Sequence, residues 1–577
     1  MLFLRLCLFG ISTLGTFELI RKACNGKVGI YFLPSLTIAI QLTVLFLAGI
    51  LNLLPEMTTS LYIIGFVGII YSLYREKGIS FLKSYINIGY AVLLVLLMIF
   101  TVYLKGKMFS GYDNFSHWAL VVKRMIATNR YPNFKDAVIF YQEYPLGSST
   151  YIYYWARLIG TNESVQMLAQ CYMMLAAMLP LYSFAKNNQL AVSVVIVSFV
   201  NYVLLYNIKI TDLLVDTLLP LVGMCGLLFA YWHCKEGGRT PYYLSSFYMV
   251  ELIQIKNSGV FFAGLMAISL IVYAWKQKEH LRGLVCAVLP FISLMLWQKH
   301  CDYVYDSAVW STHSMTVKNY ASVFGNKTRN DILSISSSLL KFAVSYKEIW
   351  ITVGIAALIG FLILVERKDL RKSFHKVAAY SVVMYVLYQV GMLAMYLLSM
   401  PLGEAIVLAS VDRYTKTILT AILYLNMILA VKLISELSGK KMMTAITTIC
   451  TFASFFAGMY ISSGTVKTVV QEKVDATKRK QIEEWVGGAR AKYGVPSNES
   501  YCILSPSSDD GYTFFLGRYI FMEEKVTARV IENEEELDNL WEKYIFVYDR
   551  DNEVINNWIQ KKYPEQVGNE VIFRETD

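Results

Sequence analysis

Charged side chains are scarce in this chain. They make up 17% of its 577 residues, whereas a soluble globular domain has about 25%. Hydrophobic residues reach 56% and aromatic residues 14%. This composition excludes an ordinary soluble protein and predicts a protein embedded in a lipid bilayer.

Cysteine motifs and a cleavable leader are also missing. The nine cysteines have no paired spacing and most lie within apolar runs, so no metal site or redox motif is predicted. The first twenty residues have one early basic residue, Arg5, and an apolar run, but no small-residue cleavage site follows them. A secretory signal peptide carries such a site. We therefore predict that this segment is a retained first membrane helix.

The net charge of +10 is not the sign of a nucleic-acid partner. The basic residues form short clusters between apolar runs, which is where membrane topology places them. Spanning a hydrocarbon core of ~30 Å takes about 20 apolar residues. The chain has fourteen candidate spans, near 2–20, 29–54, 60–74, 86–104, 164–185, 189–206, 213–233, 242–255, 258–275, 283–299, 348–365, 377–398, 414–434 and 442–462.

The connectors between these runs predict their orientation. Every second connector is basic, as in "RKACNGK", "REKGISFLK", "KQKEHLR" and "ERKDLRK", and the alternate short connectors have few basic residues. The positive-inside rule places the basic set in the cytoplasm. Residues 105–162, 300–346 and 399–413 are then extracytoplasmic, together with the tail.

The tail differs from the rest of the chain, so we predict a membrane domain at 1–463 and a soluble domain at 464–577. "YCILS", "TARVI" and "YIFVYDRD" are typical of short strands, and "ATKRKQIEEWVGGARAKYG", "ENEEELDNLWEKY" and "NEVINNWIQKKY" of helices. Alternating strands and helices predict a small α/β domain. It has no glycine-rich phosphate loop, which favours an accessory role.

The first outer loop is more structured than a connector has to be. Apolar residues recur at helical spacing from Phe115 to Ile126, and a second helix is predicted at "SSTYIYYWARL". Both are amphipathic and suit the membrane interface. Asp113 precedes the first helix, where it could act as a cap. His117 follows four residues later, and such an Asp–His pair also suits a general base.

Other polar residues reach the same membrane depth. Asp212 and Asp216 lie where the seventh span begins, Lys256 lies in the outer turn "IKNSG", and Arg413 and Tyr414 open the thirteenth span. Taken singly, these residues are explained by helix dipoles, snorkelling or ion pairing. Together they place acids and cations on one leaflet, where charges are costly and usually functional. A base above the membrane and cations at headgroup depth suit a polyprenyl-phosphate sugar.

The pattern resembles the bacterial branch of the GT-C superfamily of polytopic glycosyltransferases. The resemblance rests on an acidic residue in a two-helix first outer loop ("YDNFSHW" and "EYPLGSS"), the "IKNSG" turn, "DRY" near the end of the membrane domain, and the soluble tail. It implies that Asp113 is the catalytic base and that Lys256 and Arg413 contact the donor phosphate.

The other candidate residues complete this hypothesis. We expect His117 to assist Asp113, and Tyr414 to lie with the phosphate-binding cations. The residues expected to contact sugar or acceptor are Glu143, Tyr144, Asp212 and Asp216. Asn114 follows Asp113, so there is no DxD motif; a divalent metal is compatible with the motifs but not required by them, and no other cofactor is predicted.

Three alternatives to a glycosyltransferase with an aspartate base remain open at this point, and the second of them still transfers sugar. A flippase or transporter of lipid-linked glycans would also have many spans, but it does not explain the soluble tail or the two outer amphipathic helices. A polysaccharide polymerase or ligase would need no carboxylate base at Asp113. A receptor-like or structural protein explains none of the converging charges. The acceptor (teichoic acid, another wall polysaccharide, a lipid or a protein) is not defined by the sequence.

Overall fold

The computed structural model describes residues 2–204, 210–235, 239–305, 317–437, 440–463 and 477–575. Residues 306–316 of the predicted second outer loop and residues 464–476 at the start of the predicted tail domain lie outside the described residues.

Each of the fourteen predicted apolar segments overlaps a helix. The described residues up to Ser463 form α1 (Leu2–Ala23), α2 (Leu33–Ile50), α3 (Leu54–Arg75), α4 (Ile88–Leu104), α5 (Ala119–Thr128), α6 (Gly147–Leu158), α7 (Glu163–Met178), α8 (Gln189–Tyr202), α9 (Leu218–Phe229), α10 (Thr240–Ile255), α11 (Gly259–Lys276), α12 (His280–Val288), α13 (Ile292–Val304), α14 (Val317–Gly325), α15 (Arg329–Ser345), α16 (Lys347–Glu366), α17 (Arg371–Leu398), α18 (Leu402–Ile406), α19 (Val411–Glu436) and α20 (Lys441–Ser463).

Within the described ranges, nine helical stretches are long and apolar enough to cross a membrane, and three shorter apolar helices accompany them. The chain is therefore a multi-pass helical membrane protein, and fourteen remains the predicted number of spans. The two helices predicted in the first outer loop correspond to α5 and α6.

Small residues let the first and third helices approach closely. A Cβ atom added to Gly15 of α1 would lie 1.8 Å from the carbonyl oxygen of Gly65 in α3, and one added to Gly68 would lie 2.3 Å from the Gly15 carbonyl oxygen. Only glycine fits at such contacts, and close backbone packing is a main source of helix association in lipid. Any larger residue at these positions would separate α1 from α3.

The C-terminal domain is a small α/β unit. Its strands are β1 (Tyr501–Leu504), β2 (Val526–Arg529), β3 (Tyr544–Val547) and β4 (Val571–Phe573), and its helices are α21 (Lys478–Lys492), α22 (Tyr512–Phe521), α23 (Glu534–Asp538) and α24 (Glu553–Lys562). The sheet order is β2-β1-β3-β4, with β1 parallel to both neighbours and β4 antiparallel to β3.

The three predicted strands are confirmed, and the structure adds two elements that the sequence pattern did not indicate. The strand β4 has only three residues, too short for a period of two to be recognised. The helix α22 is buried along most of its length, so it lacks the polar face that makes an amphipathic helix visible in a sequence.

The C-terminal domain packs against the start of α7 and the first outer loop through an ion pair of the buried Arg479. Both terminal nitrogens of Arg479 donate to the carboxylate of Glu163 at 2.8 Å. The same carboxylate accepts from the Tyr519 hydroxyl at 2.8 Å and from the Phe109 backbone amide at 2.6 Å. The tail domain and the loop that carries Asp113 therefore lie on the same side of the helix bundle.

Candidate functional site

The segment that carries Asp113 begins with a wide turn. Residues Asn114–Trp118 form a π-helix, and regular α-helix follows from Ala119. The Asn114 side chain is buried; it donates to the Asp212 carboxylate and accepts from the backbone amide of Leu213 at 3.0 Å. Single π-turns of this kind are frequent at functional sites. Here the turn is anchored to the stretch that precedes α9.

The Asp113 carboxylate forms an ion pair instead of a helix cap. In the part of the chain that the structure describes, its side chain makes no capping hydrogen bond. Its Oδ2 atom accepts instead from Nη1 of Arg413 at 2.5 Å. The Asp113 side chain is 39% exposed, so one side of the carboxylate is open to an incoming ligand.

Asp216 joins the two candidate phosphate-binding cations. Its side chain is 3% exposed; Oδ1 accepts from the Lys256 ammonium at 2.6 Å, and Oδ2 lies 3.4 Å from Nε of Arg413. The ring of Tyr414 lies beside both cations, 5.0 Å from Lys256 Nζ and 5.5 Å from the guanidinium carbon of Arg413. Buried carboxylates of this kind require paired cations. Asp216 therefore fixes where both positive charges sit.

Three separate elements bring these groups together. Lys256 lies in an extended conformation between α10 and α11, and Arg413 lies in the first turn of α19. Asp216 lies two residues before α9, and its carbonyl oxygen accepts from the Thr417 hydroxyl at 3.1 Å. The cluster is thus a product of the tertiary fold, with contributions from residues about 200 positions apart.

A cavity of about 510 Å³ adjoins this cluster. Its polar end is formed by Asp113, Lys256, Arg413 and Tyr414, and Glu404 is a further charged residue of its lining. Its apolar lining comes largely from the membrane helices, namely Val260 and Phe261 of α11 and Met392, Ala394, Met395 and Leu398 of α17. The opposite face of α17 is exposed, at Val382, Val383, Val386 and Val390. The cavity therefore combines a charged end with an apolar region that is one helix away from the lipid.

His117 lines the cavity but does not pair with Asp113. The ring is 2% exposed, and neither ring nitrogen has a hydrogen-bond partner among the described residues. It packs edge-on against Trp118, Tyr141 and Tyr144 at centroid distances of 4.9, 5.9 and 5.1 Å. Burial lowers the pKa of His117 to about 3. The ring is consequently neutral near pH 7. The sequence suggested that His117 pairs with Asp113, but Arg413 occupies that place.

The remaining predicted residues divide between the cavity and its support. Tyr144 lines the cavity, whereas Glu143 and Asp212 are not among its lining residues. Asp212 accepts from Asn114, and the Glu143 carbonyl oxygen accepts from the Trp297 indole at 2.8 Å.

Some cavity residues carry no sequence signal of their own. Tyr141 follows no recognisable spacing, Tyr388 is one tyrosine within an apolar helix, and Glu404 lies in a short connector. Predicting them would have required knowing which face of each helix lines the cavity. No cluster of three or more His, Cys, Asp or Glu side chains that could hold a metal ion occurs in the described ranges.

Fold and site together define a multi-pass membrane protein with a half-apolar cavity that carries paired cations and carboxylates at one end. No family model, curated protein or solved structure matches the chain. Its function is therefore inferred from the geometry of this cavity.

Proposed function

We propose that this protein is a membrane glycosyltransferase of the GT-C type, which moves a sugar from a polyprenyl-phosphate donor to an extracytoplasmic acceptor. The proposed acceptor is one such as a cell-wall glycopolymer; teichoic acid, another wall polysaccharide, a lipid and a protein are the candidates. The enzyme sits in the bacterial plasma membrane with its site and tail domain outside.

One observation carries this proposal. Two cations and an open carboxylate meet at one end of a cavity that is also lined by apolar side chains of the membrane helices α11 and α17. A lipid phosphate needs both environments, because its charge requires fixed cations while its chain requires apolar surface. The phosphate would lie against Lys256 and Arg413, and the chain would follow α11 and α17.

The carboxylate gives this arrangement its chemistry. In a single displacement, the acceptor hydroxyl oxygen attacks the anomeric carbon of the sugar, and the bond between that carbon and the phosphate oxygen breaks. The hydroxyl proton passes to Asp113, and the lipid phosphate leaves with the bonding electrons. Because attack and departure occur on opposite faces, the anomeric configuration is inverted. The Asp113 side chain is 39% exposed, so its carboxylate is accessible to the acceptor hydroxyl.

Donor binding would also release this base. In the unliganded protein the Asp113 carboxylate is held by Arg413 at 2.5 Å. A phosphate competes for the same guanidinium, since both ligands accept charge-assisted hydrogen bonds. When the phosphate takes this position, Asp113 is left near the sugar with a free oxygen. The base thus becomes available only after the donor has entered.

A direct transfer assay tests the proposal. Purified full-length protein is incubated with radiolabelled polyprenyl-phosphate sugars, one at a time, together with cell-wall acceptor fractions. We expect one donor to transfer label with inversion of configuration. If no lipid-linked sugar is consumed, but lipid-linked glycan crosses vesicle membranes in the presence of the protein, a flippase would replace this proposal.

The proposed orientation has its own test. Ser507 in the tail domain and Lys368 between α16 and α17 are both exposed, so each can be replaced by cysteine and reacted with a membrane-impermeant maleimide in intact cells. We expect labelling of Ser507→Cys and none of Lys368→Cys, with the parent chain as the background for its nine native cysteines. The reverse pattern would overturn the side assignment and, with it, the extracytoplasmic donor.

A further inference from the structure

We infer that Asp216 sets the charge of the phosphate site, so that it selects a lipid phosphodiester, with one negative charge, over a lipid phosphomonoester with two. This inference rests on the proposed function, because it treats Lys256 and Arg413 as the phosphate-binding groups. Under this inference, Asp216 is a positioning and specificity residue that does not touch the sugar. Its position in the sequence had instead suggested a contact with the sugar or the acceptor.

The charges around the site are few and can be counted. Lys256 and Arg413 are the only lysine or arginine side chains among the described residues that line the cavity. Asp216 contacts both and is 3% exposed, so one of the two positive charges is permanently balanced. Asp113 pairs with Arg413 and is 39% exposed, so a ligand can displace it. After displacement, one positive charge is left for the ligand.

A sugar linked through a lipid phosphate presents this single charge. Its phosphorus atom carries two ester bonds and one ionised oxygen. A lipid monophosphate, which is also the product that leaves after transfer, has a second ionisation near pH 6 and carries close to two charges at pH 8. The remaining cavity groups add no positive charge, since His117 is neutral and Glu404 is acidic. The second charge of the product would stay unbalanced, which favours its release.

A matched pair of lipids tests this selection. The two probes share one prenyl chain; one is the methyl phosphodiester and the other the monophosphate. Binding to the purified full-length protein in nanodiscs is measured at pH 8. The wild type is expected to prefer the diester, and Asp216→Asn to shift the ratio of the two affinities towards the monophosphate by about tenfold, because it leaves a second positive charge unbalanced.

The control and the opposing outcomes separate this inference from the proposed function. Asp136→Asn removes a buried carboxylate that also pairs with two cations, Arg124 and Arg130, but does not line the cavity, and it should leave the ratio unchanged. If the wild type binds both lipids and Asp216→Asn keeps the same ratio, charge selection is overturned while the lipid-phosphate site stands. If neither lipid binds, the proposed function fails, and this inference fails with it.

Two measurements on the wild type need no variant. Between pH 5 and pH 8 the monophosphate gains its second charge, so its affinity relative to the diester should fall by about tenfold; a constant ratio would overturn the selection. The diester at each pH corrects for titration of Asp113, His117, Glu404 and the cavity tyrosines.

Dimethyl phosphate, which lacks the chain, should bind at least about tenfold more weakly than the methyl phosphodiester lipid. Equal binding would mean that a free phosphate, not a lipid, is the ligand.

Discussion

Asp113→Asn is expected to lower turnover by about 10²–10⁴-fold, the usual contribution of a positioned general base, while the protein stays folded and binds donor. Asparagine has the same shape, and its carbonyl oxygen can still accept from Arg413, which in the wild type donates to Asp113 at 2.5 Å. It cannot accept the proton of an acceptor hydroxyl. The measurement is single-turnover sugar transfer, with donor affinity and melting temperature recorded on the same preparation.

Asp331→Asn is the matched control for this experiment. Asp331 is the acidic partner in the capping box at the start of α15, where its carboxylate accepts from the Thr328 backbone amide at 2.8 Å. Its replacement should lower the melting temperature slightly and leave turnover unchanged, because a cap contributes to stability only. If Asp113→Asn behaves in the same way as Asp331→Asn, Asp113 has a structural role and the base must be sought elsewhere.

The sequence placed Asp113, Lys256, Arg413 and Tyr414 on one face of the membrane, and the structure brings all four to one cavity. This was predictable because the side of each residue follows from the order and length of the apolar runs, and both are local properties of the chain. Which of these side chains touch each other was not predictable in this way. Their catalytic and binding roles stay predictions.

The details that the sequence did not indicate all depend on tertiary contacts. Spacing suggested a pair between Asp113 and His117, but the π-turn and burial place the imidazole among Trp118, Tyr141 and Tyr144. A π-turn inserts one residue into the helical period, and no local pattern marks it.

Asp212 and Asp216 show the same limit for two acids that look alike in sequence. They lie four residues apart and were given the same expected role. Their side chains take different partners: Asp212 accepts from Asn114, and Asp216 pairs with Lys256 and Arg413. These partners lie 40, 98 and about 200 positions away along the chain, and they differ because the stretch before α9 passes between two separate parts of the site.

Arg413→Lys is expected to lower kcat/KM for the donor by about 10- to 100-fold, the loss of one or two charge-assisted hydrogen bonds. The guanidinium faces two carboxylates at once, with Nη1 on Asp113 at 2.5 Å and Nε 3.4 Å from Asp216. A lysine ammonium is a point charge and cannot keep its place on Asp216 while also holding a phosphate in a forked geometry. The larger part of the effect should appear in KM, because donor binding is what the lost fork supports.

Arg367→Lys is the control that isolates this effect. Arg367 also bridges two carboxylates, Asp369 and Glu436, with its Nη2 atom 2.6 Å from each, but it does not line the cavity. Its replacement should leave donor kinetics unchanged. If Arg413→Lys and Arg413→Ala both keep the wild-type KM, Arg413 serves only to hold Asp113 and the phosphate must lie elsewhere. If KM rises in both variants and rises more in the alanine variant, the donor phosphate lies on the guanidinium. The rise in the lysine variant would show that the forked geometry is needed, and the further rise in the alanine variant would show that the positive charge is needed as well.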